Sequence, residues 1–495
     1  MHAHGRNGSP GDFVPQSTFY ANPFGRMFAK SAAWTPCGDT DGERTRAVRE
    51  FVDRHMPDDV AGMPRDNPNI PAGYTYFGQF IDHDLTFDPT SSLQRANDPN
   101  RLHNFRTPRL DLDSVYGRGP HDQPYLYDTG RAGFPGFFLI GSGDNANEPD
   151  LPRNSLGRAL IGDMRNDENT IVSQLHLAVL KFHNAVLERI VGAASGASEE
   201  QFNEAQRIVR WFYQYVVWND FIHRLVDPMV RAEVLARNHG PFELRSKFYR
   251  WEKAPYIPVE FSVAAYRLGH SMVRPGYQVN ATAHHGFGVE RPIFLPPGSL
   301  AFDLRGFRRL PTHTTLEWDW FLKFPSSRAP FPQLSRKIDR HLSAALRHIP
   351  MDGGTTEALG FLNLMRGWRM GLPSGPTVAR LMGLDPIARP APCSPDNALW
   401  IYILDEAEAQ TSGTRLGSVG SRIVAEVFAG ILHGDPLSYV NQDPAWQPTR
   451  ERRALPFPQP VNGRDWELAD LVRAAGVPIT AADVTKTVDG AHEPA

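Results

Sequence analysis

Two long stretches of the chain repeat apolar residues at the spacing of a helix with one buried face. Residues 169–191 place such residues at steps of three or four, namely Ile171, Leu175, Ala178, Phe182, Val186 and Ile190. Residues 199–226 form a second long helical stretch, and 259–273 and 421–434 form two shorter ones. No series of alternating strands competes with them, and 42 glycines and 43 prolines require long loops. The pattern predicts a mainly α fold, a large single helical domain with long loops and little β structure.

The composition along the chain predicts three parts. Residues 1–45 are rich in Gly, Pro and Ser, which predicts an extended N-terminal arm. Residues 46–445 carry the helical stretches and are predicted to form the main domain, with residues 62–160 rich in loops and holding short helices at most. Residues 446–495 are rich in Pro and charge, which predicts a C-terminal tail packed on the surface with a short closing helix.

The bulk composition excludes several classes of protein. A net charge of −3 gives no general attraction to nucleic acid or to anionic lipid. No apolar run is long enough for a transmembrane segment, and the opening MHAHGRNGSPGDF lacks the features of a secretory signal. We therefore expect a soluble, cytoplasmic protein, with export by another route left open. Cys37 and Cys393 allow one disulfide at most.

The segment GQFIDHDL, residues 78–85, places three polar side chains in a row within an apolar stretch. A lone histidine in such a segment is more often a satisfied core group than a ligand. Adjacent residues point in different directions, however, so Asp82, His83 and Asp84 each need a partner of their own. A metal ion or a cofactor meets these three demands more easily than ordinary core packing does.

The segment RTPRLDLDSVYG, residues 106–117, alternates residues that carry oxygen ligands. Alternate residues of an extended loop face one side, and here these are Thr107, Arg109, Asp111 and Asp113. A hydroxyl, a backbone carbonyl and two carboxylates suit Ca²⁺, which takes oxygen ligands, and Asp84 could add a third carboxylate. The alternative is a solvated turn that contains two acids.

Two further segments carry candidate residues that are weak when taken alone. In GDMRNDENT, residues 162–170, Arg165 and Glu168 are three apart and share a face, although an ion pair of little energetic weight would explain them equally well. In AAYRLGHSM, residues 264–272, His270 lies beside Gly269, whose small size lets a flat group approach.

One pair of histidines is predicted to be structural. His176 and His183 share a helical face, but seven residues separate them by about 10.5 Å along the axis, too far to bind one metal ion together. The chain also lacks zinc-ligand spacing, a P-loop and a nucleotide fingerprint. The remaining candidates suit a flat redox cofactor held between two histidine-bearing elements.

Five segments, in this order, resemble the animal-type haem peroxidases, the peroxidase–cyclooxygenase superfamily that includes myeloperoxidase and lactoperoxidase and has bacterial members. The resemblance runs from about residue 70 to 440. The segments are FGQFIDHDLTF, LDLDSVYG, GDMRNDENTIVSQLHLAVLKFHNAVLERI, YRLGHSMV and NLMRGWRMGLP. Each is weak by itself, but five in the family's order are specific.

The resemblance assigns roles to the residues around a b-type haem. It implies that His83 is the distal histidine, with Gln79 one helical turn before it, and that Arg165 is the distal arginine. It implies that His270 is the proximal iron ligand and that Asn363 accepts the proton of its other ring nitrogen.

The resemblance also implies a calcium site and covalent links to the haem. The implied calcium ligands are Asp84, Thr107, Arg109 through its carbonyl, Asp111 and Asp113. Asp82 and Glu168 stand where mammalian members form ester bonds to the haem, and Arg366 is the best candidate for a propionate contact. Asn169 replaces the methionine that forms a sulfonium link in myeloperoxidase, so that link is not expected.

The activity implied is that of a haem peroxidase. It would use H₂O₂ to oxidise small donors: phenols, aromatic amines, iodide, bromide or thiocyanate. Two alternatives stay open, a fatty-acid dioxygenase of the same fold and a non-catalytic haem or calcium adhesion module. The dioxygenase branch uses a tyrosine three residues before the proximal histidine, where this chain has Arg267, and Tyr266 is out of register.

Overall fold

The computed structural model describes residues 24–480 except for gaps at 57–64, 89–101, 103, 193–195, 238–239, 253, 281–289, 296–302, 312–313, 326, 328–330, 351–355, 452–458 and 464. The described residues form fourteen α-helices. They are α1 Asp41–His55, α2 Gly73–Leu85, α3 Asp113–Tyr116, α4 Thr170–Val191, α5 Glu199–Val216, α6 Ile222–Leu225, α7 Pro228–Val234, α8 Val259–Ser262, α9 Leu359–Arg369, α10 Gly375–Leu381, α11 Leu399–Thr411, α12 Ser418–Gly434, α13 Tyr439–Gln442 and α14 Leu468–Ala474.

The strands of the described part are short and pair only two by two. Apart from the parallel pair β2–β5, all of the pairs are antiparallel: β1–β10, β3–β4, β6–β7, β8–β9 and β11–β12. The bounds are β1 Asp66–Pro71, β2 Ala132–Gly133, β3 Gly141–Ser142, β4 Pro149–Asp150, β5 Gly196–Ala197, β6 Leu235–Ala236, β7 Glu243–Leu244, β8 Gly276–Tyr277, β9 Arg291–Pro292, β10 Leu334–Arg336, β11 Ile349–Pro350 and β12 Thr356–Glu357. The predicted mainly α fold with little β structure is confirmed.

The two long predicted helices form the centre of the domain. Helix α4 begins after Asn169, whose side-chain oxygen accepts the backbone N–H of Val172 and caps the helix. Helix α5 continues through a π-helical stretch, Val217–Phe221, into α6, so the predicted helix over 199–226 is one element with a bulge near its end. Most residues of α4 and α5 are buried, which places the core between them.

Helix α2 is longer than the short helices that the sequence predicted for residues 62–160. It has 13 residues, most of them buried, and only Gly78, Gln79 and Asp82 are half-buried. The rings of Phe77 and Phe80 meet the ring of Tyr213 on α5 edge to face.

The prediction of one continuous helix over 259–273 was wrong. The chain forms α8, breaks at Ala264, and resumes as a 3₁₀ helix over Ala265–His270. Side chains occupy two carbonyls that a continuous helix would use: Arg267 donates to the carbonyl of Ser262 (3.2 Å), and Trp400 donates to the carbonyl of Arg267 (3.3 Å).

Both ends of the described chain are packed into the domain. Phe24, Phe28 and Trp34 are buried, and α1 crosses the predicted boundary at residue 45. The buried carboxylate of Glu260 accepts the backbone N–H groups of Met27 and Phe28 at 3.0 and 3.1 Å. This part of the predicted arm is therefore core structure, and residues 1–23 lie outside the described residues.

The C-terminal segment differs from the predicted surface tail in the same way. Trp446, Trp466 and Leu468 are buried, and both tryptophan rings pack against Phe212 of α5, at centroid distances of 5.2 and 4.6 Å. Helix α14 is the predicted closing helix. Residues 452–458, 464 and 481–495 of the tail lie outside the described residues.

A disulfide joins the two cysteines of the chain. Cys37 precedes α1 and Cys393 precedes α11, 356 residues later, with their Cα atoms 4.8 Å apart. The one bridge that the sequence allowed is therefore formed. Among the described residues, none of the helices has the length and apolar character needed to cross a membrane.

Candidate active site

The three adjacent polar residues of α2 diverge to three different surroundings. Successive helix residues are rotated by about 100°, so their side chains cannot share a partner. Asp84 is fully buried and faces the loop after residue 106, whereas His83 is buried against the segment after residue 162. Asp82 is half-buried, and its carboxylate accepts the hydroxyl of Thr86 at 3.1 Å.

His83 is held as a neutral imidazole. Its Nδ1 lies 2.8 Å from Oδ1 of Asn166. Burial, and then the positive charge of Arg165, lowers the pKa of His83 to about 3. The ring is therefore uncharged at neutral pH and can exchange a proton.

Arg165 is fixed to the backbone that carries His83. Its guanidinium donates to the carbonyls of Thr86 (2.6 Å) and His83 (3.1 Å) and forms a salt bridge with Asp163 (2.8 Å). It also lies over the ring of Phe87, 4.7 Å from the centroid. The ion pair between Arg165 and Glu168 that the spacing suggested is replaced by the pair with Asp163, which caps the 3₁₀ helix Met164–Asp167.

Gln79 of α2 is joined by hydrogen bonds to Glu168 and to Asn169. Gln79 donates to the carboxylate of Glu168, and Asn169 donates to the oxygen of Gln79 at 3.1 Å. Burial raises the pKa of Glu168 to about 7, and the nearby carboxylate of Asp82 acts in the same direction. Burial also raises the pKa of Asp82. The two acids therefore lie close enough to influence each other.

The backbone around Glu168 is fixed by a close chain crossing. Gly306 and Phe307 donate their N–H groups to the carbonyls of Glu168 (3.0 Å) and Asp167 (2.7 Å). A Cβ atom at Gly306 would lie 1.8 Å from the carbonyl oxygen of Asp167, so only glycine fits there. The carboxylate of Asp167 is itself held by both terminal nitrogens of Arg153, at 2.6 and 2.7 Å.

His270 stands at the end of the 3₁₀ helix Ala265–His270. Its Nδ1 lies 2.7 Å from the side-chain amide of Asn363 on α9. The amide nitrogen is placed nearest the ring, but the oxygen and nitrogen of an amide occupy equivalent positions, so Asn363 can equally accept a proton from Nδ1. Burial, and then Arg267, lowers the pKa of His270 to about 3, so this ring is also neutral.

Open space adjoins His270, and the element that carries it contacts α2. A Cβ atom added to Gly269 would meet no other atom within 4 Å. The hydroxyl of Tyr266 donates to the carbonyl of Gly78 at 3.1 Å, which joins the two elements directly. The structure thus brings His83 and His270 onto neighbouring elements. Within the part of the chain that is described, neither Nε2 atom has a hydrogen-bond partner.

Two half-buried arginines, Arg267 and Arg366, lie near His270. Burial, and then the like charge of Arg366, lowers the pKa of Arg267 to about 10. Arg267 lies 3.5 Å from the amide oxygen of Asn363, and Arg366 lies 3.6 Å from Asp88. Two positive charges so close together favour an anionic ligand. In the sequence Arg267 stands out only as the replacement for a tyrosine, and its charge is the signal that could have pointed to this anion site.

Asp84, Asp111 and Asp113 form a buried cluster in which a ligand oxygen from each lies within 4.8 Å of the others. Burial and the neighbouring carboxylates raise the pKa of Asp84 to about 7 and also raise that of Asp113. Among the described residues, Oγ1 of buried Thr107 and Oδ1 of Asp113 have no hydrogen-bond partner. These unused oxygens and mutually repelling acids are what a bound cation would satisfy.

Arg109, also predicted in this loop, is buried, and its guanidinium lies 3.3 Å from the carboxylate of Asp435. Its side chain therefore points to another acid, which is compatible with a role for its carbonyl alone. Arg106 was missed from the sequence; it lies 3.5 Å from Asp113 and also pairs with Asp163, and so links the acid cluster to the segment of Arg165.

Comparison with known sequences finds one family and several relatives. The animal haem peroxidase family profile matches residues 92–391, a range that begins after α2. A peroxidase-like protein of Margaritifera margaritifera is 28% identical over 373 residues, which covers 60% of this chain and 44% of that protein. Human thyroid peroxidase is 28% identical over 202 residues, covering 37% and 21%. Heme peroxidase 2 of Caenorhabditis elegans is 22% identical over 450 residues, covering 75% and 60%. The chain thus spans three fifths or less of the length of these relatives.

Two kinds of solved structure share the fold. Peroxidase A from Dictyostelium discoideum superposes with a TM-score of 0.65 at 15% identity, covering 94% of this chain and 95% of that one. Fatty acid alpha-dioxygenase from Oryza sativa superposes with a TM-score of 0.55 at 15% identity, covering 98% and 86%. At such identities the likeness concerns the fold alone.

We predict that Glu168→Gln changes how the stability of the haem-free protein depends on pH. The folded pKa of Glu168, about 7, is raised above its ordinary value of 4.5. Its contribution to stability is therefore fully present below pH 4.5 and is lost as the pH rises through 7. Urea unfolding at pH 5 and pH 8.5 should show the variant gaining stability relative to the wild type at the higher pH. The exposed Glu50→Gln is the control, and an equal difference at both pH values would contradict the assignment.

Proposed function

Because the chain belongs to the animal haem peroxidase family, we propose that it is a peroxidase that uses hydrogen peroxide to oxidise small donors. The observation that carries the proposal is the pair of neutral histidines on contacting elements, buried His83 and half-buried His270. Each uses Nδ1 in a hydrogen bond with an asparagine, and so has Nε2 available for another partner. The expected donors are phenols, aromatic amines, iodide, bromide and thiocyanate.

The residues present fit a haem. His270 would bind the iron through Nε2, with Asn363 orienting the ring through Nδ1. Arg267 and Arg366 would hold the propionate carboxylates through charge-assisted hydrogen bonds. When bound, the haem iron supplies the site at which peroxide is reduced and from which the donors are oxidised.

The residues on the other side of the site handle protons and charge. Neutral His83 accepts a proton from one peroxide oxygen and returns it to the leaving oxygen, a role that suits an uncharged imidazole. Arg165 carries its positive charge on the same stretch of backbone and stabilises the negative charge that develops on that oxygen. Gln79 binds and orients the peroxide, together with the carboxyl group that it contacts.

The alternatives are weaker. A dioxygenase with this fold would need a tyrosine placed to react, but the hydroxyl of Tyr266 is engaged by the carbonyl of Gly78, and its ring stacks on Phe261 at 4.8 Å. A non-catalytic adhesion module has no need of a neutral buried histidine beside a fixed arginine. The cytoplasmic location expected from the sequence stays a prediction, and the disulfide argues against it because cytosolic thiols are kept reduced.

Substituting each histidine should separate haem binding from catalysis. We predict that His270→Ala loses most bound haem or shows an altered Soret spectrum. His83→Gln should keep the haem but react with H₂O₂ roughly 10²-fold more slowly in stopped-flow measurements. Exposed His121→Gln is the control. Wild-type turnover by either variant would contradict the roles, and oxygen uptake with a fatty acid in place of peroxide turnover would support the dioxygenase.

We propose that Ca²⁺ binds at Asp84, Thr107, the Arg109 carbonyl, Asp111 and Asp113. The buried acids and the unused oxygens support it. Metal analysis should find about one Ca²⁺ per chain. Asp113→Asn should abolish this binding and lower the thermal midpoint, because a ligand that binds only the folded state stabilises it. The exposed Asp385→Asn should do neither. Absence of metal from the wild type at saturating calcium would reject the site.

We propose that Asp82 and Glu168 would form at least one ester bond to a bound haem on exposure to peroxide. A carboxyl O–H and a haem methyl C–H would be lost, a C–O bond would form, and H₂O₂ would be reduced to two water molecules. The proximity of Glu168 to Asp82 of α2 supports this, and it is seen in the pKa of Glu168, which burial and also the carboxylate of Asp82 raise. Mass spectrometry after denaturation in acidified organic solvent should show protein with attached haem. The double variant Asp82→Asn/Glu168→Gln should release all of its haem. Release of intact haem from peroxide-treated wild type would show that both acids make polar contacts only.

A further inference from the structure

Behind His83, a chain of three polar side chains runs into the core and is not explained by the roles given so far. Nδ1 of His83 lies 2.8 Å from Oδ1 of Asn166, and Nδ2 of Asn166 lies 3.0 Å from Nδ1 of His176. Asn166 and His176 are both completely buried. The chain joins three elements, since His83 belongs to α2, Asn166 to the 3₁₀ helix Met164–Asp167, and His176 to α4.

The bonding of His176 differs from that of its neighbour on the same helix face. His183 uses both ring nitrogens, one with the hydroxyl of Tyr116 (2.9 Å) and one with the carbonyl of Gly136 (2.9 Å). His176 bonds only Asn166, and its Nε2 is buried without a partner among the described residues. A buried polar atom without a partner destabilises the fold, so packing alone does not explain a histidine here.

The ring of His176 is also fixed in orientation. It meets the ring of Phe80 edge to face, with centroids 5.9 Å apart. Phe80 stands three residues before His83 on α2, on the same side of the helix. The histidine ring therefore packs against the helix that carries His83 and presents Nδ1 to Asn166.

We infer that Asn166, itself oriented by His176, is a positioning residue that keeps the proton of neutral His83 on Nδ1 and the lone pair on Nε2. This inference rests on the proposed role of His83 as the base. The amide of Asn166 has one acceptor and one donor end. With its NH₂ group donating to His176, its oxygen faces His83 and accepts the Nδ1 proton.

The position of that proton decides whether His83 can act. A neutral imidazole has one N–H and one lone pair, and only a lone pair on the nitrogen that faces peroxide can accept a proton. Histidine side chains in water carry the proton mainly on Nε2, the unproductive form. A hydrogen bond that selects the other form therefore raises the productive fraction without changing the charge of the ring.

Nitrogen spectroscopy tests the proton position directly. In full-length protein labelled with ¹⁵N-histidine, the shifts distinguish a protonated ring nitrogen from a bare one. Spectra are recorded for the haem-free chain and for the diamagnetic ferrous carbon-monoxide complex. The signal of His83 is assigned by its loss in His83→Gln. We expect Nδ1 to be protonated in the wild type and in Asn166→Asp, which keeps an acceptor oxygen, and Nε2 to be protonated in Asn166→Ala.

Peroxide kinetics supply the second measurement. Asn166→Ala should bind haem with an unchanged Soret band but react with H₂O₂ about tenfold more slowly, the effect expected from losing one orienting hydrogen bond. His176→Gln should show a smaller loss of rate. His183→Gln, equally buried on the same helix, should leave both the rate and the His83 signal unchanged.

The outcomes distinguish this inference from the proposed function. Protonation of Nε2 in the wild type, or a rate for Asn166→Ala within twofold of the wild type, would overturn the positioning role. If His83→Gln itself reacts at the wild-type rate, the proposed function fails, while the spectra of the haem-free chain still report whether Asn166 sets the proton position. If His183→Gln lost as much rate as Asn166→Ala, the loss would come from general packing of α4, and the positioning role of Asn166 would be overturned.

Discussion

The burial of most of α2 is the constraint on which the rest of the site depends. A polar side chain on a surface helix can turn to water, but His83 and Asp84 are buried and Asp82 is half-buried. Each must be satisfied by another element of the protein or by a ligand. The acid cluster, the segment that carries Arg165 and the segment that carries His270 are the elements that meet these needs.

Salt bridges connect these elements in addition to the packing contacts between them. Asp163 pairs with both Arg106 and Arg165, so a single carboxylate joins the acid cluster to the side of His83. Because Asp163 is buried and doubly paired, its pKa lies well below the usual range, held there by Arg106 and Arg165 against the effect of burial. A change in the acid cluster can therefore reach the active site through one residue.

The sequence predicted most of the site because family motifs are short, local and ordered along the chain. The roles assigned to His83, Arg165, His270 and Asn363 stay predictions, but the chain places these residues on contacting elements. The spacing of apolar residues located α4, α5 and α12 within a few residues. It did not predict the full length of α2, nor the break at Ala264, which depends on side chains from distant segments. His176 was predicted to be structural, but its link to Asn166 was missed, since a hydrogen bond between residues on different elements leaves no periodic signal.

The disulfide between Cys37 and Cys393 makes one covalent ring of the segment that contains nearly every residue of the site. His83, Arg165, His270 and Asn363 all lie between the two cysteines in sequence. A single cut in any loop between them would open the ring but leave one molecule, with the pieces bearing the two histidines still joined. Intact size on a non-reducing gel would therefore be a poor measure of an intact backbone, and only a reduced sample would show the cut.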